Sequence, residues 1–165
     1  MCEQRNANAD LAGKRTSEGN MSQLTVFFKP SRTWLGLFYP SHYLTAMFAS
    51  FHDAEQARNR LMRCGVSRSD VVAVAGDDVI EFASEHVWQD GLRGWIFRGI
   101  SRALGTEAAY ADRDLSLAQH GAALLAVYCA TDRDKRVVWS CLAPAHPLTA
   151  RHYAVGGIEH LAGET

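Results

Sequence analysis

Apolar residues in this chain fall into runs whose spacing switches from strand-like to helical and back. Residues 43–49 (YLTAMFA) form an apolar run of strand length. Ala54, Ala57, Leu61 and Met62 then recur at helical spacing. Ser50 stands where an N-cap is needed, with Asp53 at the third helical position to complete a short capping box. Gly65 suits a left-handed helix end, and Val66 supplies the apolar contact expected just beyond it. A turn over 67–70 leads to residues 71–75 (VVAVA), apolar on both faces as in a central buried strand, and Gly76 closes it. The whole is strand–helix–strand in about thirty residues, the size of a βαβ unit.

The same grammar returns at an offset of 81 positions, which carries Asp53 onto Asp134. Residues 122–129 (AALLAVYC) predict a strand, Thr131 a cap, and Val138 and Leu142 a helical stripe. Pro147 breaks the chain, and residues 151–155 (RHYAV) predict a final strand before Gly156 and Gly157. Ser50 falls on Thr131, Ala57 on Val138, Leu61 on Leu142, Val72 on Tyr153 and Gly76 on Gly157. Each pair has one physical job, so a repeated architecture is expected although residue identity is low.

Two such units place four strands in one sheet with both helices on one face. The expected fold is a ferredoxin-like α+β sandwich, βαβ–βαβ, over residues 43–161. Between the halves, 77–121 predicts an inserted helical pair. Trp88, Leu92, Trp95, Ile96, Gly99, Ile100 and Ala103 share one stripe of a helix over 87–104, with Arg98 and Arg102 off it. Residues 107–119 predict the second helix, ended by His120 and Gly121. Residues 24–42 read as an extended aromatic arm, with a strand over 24–29 stopped by Pro30. Residues 1–23 hold no Val, Ile, Phe, Trp or Tyr, and are expected to be a disordered tail.

Composition narrows the class. The chain has 165 residues, 47% hydrophobic and 21% charged, with a formal charge of −1. These values exclude a low-complexity chain and a multi-pass membrane protein. Near-neutrality offers no long-range field for nucleic acid. With no secretory signal pattern, the expected compartment is the cytoplasm. Four cysteines (Cys2, Cys64, Cys129 and Cys141) show no metal-ligand spacing. Cys129 and Cys141 read as small buried hydrophobes of a reducing compartment, with a disulfide as the minor alternative.

The string YLTAMFASFHDAEQARNRLMRCGVSRSDVVAVAGDDV resembles the opening module of bacterial heat-induced, general-stress-type proteins. The positions that carry the resemblance are Phe48, Ser50, Ala54, Glu55, Ala57, Leu61, Gly65, Val66, Asp70, Val72 and Val74. The second half is similar at Tyr110, Gly121, Leu124, Val127, Arg151, Tyr153 and Ile158. It covers about residues 43–161; the polar, Cys-containing helix DRDKRVVWSCLA and the 24–40 arm depart from it. The resemblance implies a stress-associated protein and transfers no catalytic residue.

Candidate chemistry is sparse. No nucleophile elbow, phosphate loop or dinucleotide fingerprint is present. His146, His152 and His160 share no helical face and read as solvated or hydrogen-bonded side chains, not as a metal site. Asp77, Asp78, Glu81, Glu85 and His86 read as a solvated acidic helix start. No cofactor is expected. The leading reading is a non-enzymatic stress-associated or regulatory module acting through protein or small-ligand contacts, with a homodimer as the expected assembly. The first alternative is a small-molecule enzyme or binding protein with a pocket between sheet and inserted helices, where His120, Tyr128, Arg151 and Tyr153 are the polar candidates. The second is peripheral membrane or partner contact through Trp88, Trp95, Arg98 and Arg102. Against it stands the simpler use of that helix, to cover the sheet.

Overall fold

The computed structural model describes residues 27–28, 32–34, 37–39, 41–89 and 107–163. The expected tail at 1–23, and most of the expected helix over 87–104 with Trp95, Arg98 and Arg102, lie outside the described residues. Two short strands come first, β1 (Arg32–Trp34) and β2 (Leu37–Tyr39), paired antiparallel as a hairpin. Phe27 and Phe28, expected in a strand, sit instead in a helical turn. Their rings pack edge-on against Tyr43 at 5.3 and 5.0 Å, and the Tyr43 hydroxyl donates to the Phe27 carbonyl at 2.7 Å.

The domain proper follows as β3 (Tyr43–Phe48), α1 (Phe51–Arg63), β4 (Val71–Val74), α2 (Gly76–Gln89), α3 (Glu107–Gln119), β5 (Ala123–Tyr128), α4 (Asp132–Leu142), β6 (Thr149–Ala154) and β7 (Gly157–Ala162). The five later strands make one antiparallel sheet in the order β4-β5-β3-β6-β7. The class is therefore α+β. β4 and β6, which end the two β–α–β stretches, lie on opposite sides of the β5–β3 centre, so the two stretches interleave.

Local signals start and stop the helices as the sequence requires. Ser50 accepts from the Asp53 amide, and Thr131 and Asp134 close a full capping box. Cys64 ends α1, and Gly65 follows at φ +93°, so that Val66 N–H donates to Leu61 C=O and Gly65 N–H to Met62 C=O. A second glycine is required by crowding. A Cβ on Gly76 would stand 2.5 Å from the Ala122 carbonyl oxygen and 2.6 Å from that of Ala118. Only Gly lets the start of α2 approach α3 and β5 this closely.

Alternation along β3 divides the sheet into two buried faces. Leu44, Ala46 and Phe48 join Ala54, Ala57 and Leu61 of α1 and Val138 and Leu142 of α4 in the main core. On the other face, Val79 and Ile80 of α2 and Leu117 and Ala118 of α3 pack on Met47, Ala122 and Leu124. Phe28, Tyr43, Val72, Val74 and Ala126 form a neighbouring cluster with Phe82. Each fully buried Leu or Phe contributes about 1.5–3 kcal/mol of transfer free energy.

Three further expectations need correction. β4 is buried on both faces, yet it lies at an edge of the described sheet. Its burial comes from the layers above and below, which hydropathy records, and not from strand neighbours, which it does not. β6 is not the final strand: the turn after Ala154 returns the chain as β7, which pairs with it. Gly157 thus opens a strand, whereas its counterpart Gly76 opens a helix. Finally, Cys141 is bonded to Cys64, with Cα atoms 6.7 Å apart across 77 residues of sequence. Side-by-side packing of α1 and α4 brings these two together, and no local pattern encodes it. Cys129 is buried as expected.

Candidate functional site

Among the described residues, a buried polar cluster lies between β6 and α3. Thr149, Arg151 and Tyr153 alternate along β6 and so share the face that α2 and α3 cover. Thr149 and Arg151 are each 1% exposed. α3 answers with Tyr110 and Asp114, one turn apart on the stripe that continues to Leu117 and Ala118. Arg151 Nη1 donates to Asp114 Oδ2 at 2.6 Å, and Thr149 Oγ1 donates to Asp114 Oδ1 at 3.2 Å. The Arg151 guanidinium sits 4.8 Å from the Tyr110 ring centre, and that ring lies 4.7 Å from the His160 ring. Tyr153 hydrogen-bonds with Thr45 and Arg151.

Burial sets the electrostatics. It pushes the Asp114 carboxyl above its ordinary range, while Arg151, the Thr149 hydroxyl and Arg113 pull it back. Burial, then the nearby Asp114 charge, raises the Tyr153 phenol. An arginine this buried is retained only with a paired acid, because an unpaired buried charge is strongly unfavourable. The cluster therefore fastens α3 to the sheet.

Of the four residues expected to converge, Arg151 and Tyr153 do so. Tyr128 belongs to the same row, because Tyr128, Tyr43 and Tyr153 are register partners across β5, β3 and β6. The Tyr128 ring lies 5.2 Å from that of Tyr43 and is 37% exposed, so this end of the row reaches the surface. His120 stands apart, in the turn that leads to the opposite end of β5, with Nδ1 2.7 Å from the Ser116 carbonyl oxygen. Trp88 lies in α2. Sequence reasoning did not single out Asp114, Thr149 or Thr45. Asp114 stands out only once the fold sets its stripe of α3 opposite Thr149 and Arg151, 35 and 37 residues away in the chain.

His152 points to the other face, beside Leu44 and Glu159. It is 4% exposed, and neither ring nitrogen has a hydrogen-bond partner among the described residues. Burial, with help from Lys135, lowers its pKa. Lys135 reaches from α4 to pair with Glu159 of β7 at 2.5 Å.

Among the described residues no group of three His, Cys, Asp or Glu side chains is placed to hold a metal ion. No helix among them is long and apolar enough to cross a membrane. Two open grooves mark the α1/α4 layer. One, of about 540 Å³, runs beside Asp53, Gln56, Arg60 and Arg63 of α1 and Pro144. The other, of about 260 Å³, lies between Cys64, Ser67, Tyr128, Arg133 and Val137. Comparison with protein-family models, with curated proteins and with solved structures finds no match.

Proposed function

We propose that this chain is a ferredoxin-like βαβ–βαβ domain, with a helical pair inserted between its halves and one strand appended, that serves as a non-enzymatic, stress-associated regulatory module. The interleaved order β4-β5-β3-β6 supports the fold reading. One observation carries the functional reading: the buried Arg151 is engaged by Asp114 and Tyr110 of the insert. These groups hold an added layer on one face of the sheet, and we place protein or small-ligand contact at the surface grooves of the α1/α4 layer on the other.

The reading is tested in the source cells by the abundance of this protein after heat or oxidant challenge and by the survival of a strain lacking it. Several-fold induction together with reduced survival supports it. Unchanged abundance and unchanged survival overturn it.

A further inference from the structure

We propose that the Cys64–Cys141 bond is a reversible redox site, opened by a dithiol reductant and reclosed by a disulfide oxidant while the domain stays folded. The placement of the bond carries the inference. Cys64 closes the C-terminus of α1 and is exposed; Cys141 lies in the last turn of α4 and is half-buried. An incoming thiolate can therefore reach the Cys64 sulfur without unfolding the chain.

The two helices do not depend on the bond for their seats. Ala54, Ala57 and Leu61 of α1 share one core cluster with Val138 and Leu142 of α4, and Leu61 and Leu142 are fully buried. Opening the bond frees two helix ends and leaves this apolar layer in place.

The exchange balances simply. One thiolate of the dithiol attacks the Cys64 sulfur, forming a mixed disulfide and releasing Cys141 as a thiolate. The second thiol attacks the mixed disulfide, releasing Cys64 and closing the reductant's own disulfide. Two electrons pass to the protein, and the two protons lost by the dithiol end on Cys64 and Cys141. Cys129 stays out of this chemistry, because it is buried and its thiol is pushed up from 9.0 to about 12. That leaves roughly a thousandfold less thiolate at a given pH. The bond also borders the groove that Cys64 shares with Ser67, Tyr128, Arg133 and Val137, so its state sets how firmly that wall is held.

The test equilibrates the full chain, under native conditions, with graded ratios of reduced to oxidised dithiothreitol. Alkylation and peptide mass spectrometry then read each cysteine separately. Expected is one transition in which Cys64 and Cys141 label together, with Cys129 labelled at least 100-fold more slowly. Circular dichroism stays unchanged, and oxidised glutathione recloses the bond. A pair that opens only when Cys129 also labels, or that fails to reclose, overturns the proposal. The Cys64→Ser/Cys141→Ser chain is the fixed-open reference. Its amide NMR spectrum matches that of the reduced native chain outside the cysteines' own surroundings. A mismatch spread across the sheet overturns the proposal as well.

Discussion

The halves β3–α1–β4 and β5–α4–β6 begin alike and finish differently. Both open their helices with a hydroxyl cap answered by an aspartate, and both bury a leucine at the matched positions 61 and 142. They part at the second strand. In β4 the residues facing the inserted helices are Val72 and Val74, packed on Phe28, Val79 and Phe82. In β6 they are Thr149, Arg151 and Tyr153, met by Asp114 and Tyr110. The second strand of one half thus meets the inserted helices through apolar packing, and that of the other through a buried ion pair. Apolar packing tolerates a loose partner. A buried arginine demands one acid at one place, and so it fixes the position of α3 over the sheet.

Removing that acid is the severest way to break the second half. Asp114→Ala leaves Arg151 buried without its carboxylate, and urea denaturation is expected to show a loss of about 3–5 kcal/mol. An effect below about 1 kcal/mol would mean that the two halves hold the insert in the same way.

The matched leucines sharpen the likeness. Leu61→Ala and Leu142→Ala each remove a fully buried side chain from the same core cluster. Each is expected to cost about 2–5 kcal/mol in chemical denaturation. Costs within about 1 kcal/mol of one another would support equivalent roles for α1 and α4.

The caps probe the same likeness at smaller scale. Ser50→Ala and Thr131→Ala each lose the acceptor for an amide at the third helical position, for about 0.5–2 kcal/mol. Each substitution also removes the hydroxyl's bond to the aspartate carboxylate, so the two costs are expected to be similar; the Thr131 amide keeps its own bond to Asp134 in the alanine variant.

The mildest contrast at neutral pH lies at position 152, whose counterpart in the first half is Val71. Burial depresses the folded pKa of His152 below its ordinary 6.5. The unfolded chain therefore takes up the proton first. The contribution from neutral His152 is complete above about pH 6.5 and declines as pH falls toward the folded pKa. Thermal melts across pH 4.5–7.5 should show this loss in the native chain. His152→Val should flatten that part of the profile; an unchanged profile would assign the acid sensitivity to other groups.

Much of the α+β order was legible from local signals. The helix at 107–119, the two caps, the left-handed end at Gly65 and the strand cores all follow from hydroxyl acceptors, glycine and hydrophobic period. Arg151, Tyr153 and Tyr128 could be named as polar candidates because each stands in or beside an apolar strand. Their grouping could not be named, nor could the separation of His120 from them. Asp114 was missed because an acid on an exposed helix face and one on a buried face read alike until the partner strand is known.

The sequence alone determined where α1 and α3 lie and where α4 begins, since caps, turns and period are interactions among residues within a few positions of one another. Only the tertiary structure decided that β4 takes an edge, that β7 returns along β6, that Asp114 meets Arg151 and that Cys64 meets Cys141. Each of these pairings, apart from the turn into β7, joins residues far apart in the chain. Such pairings are selected by how whole faces pack together, and no local stretch carries that information.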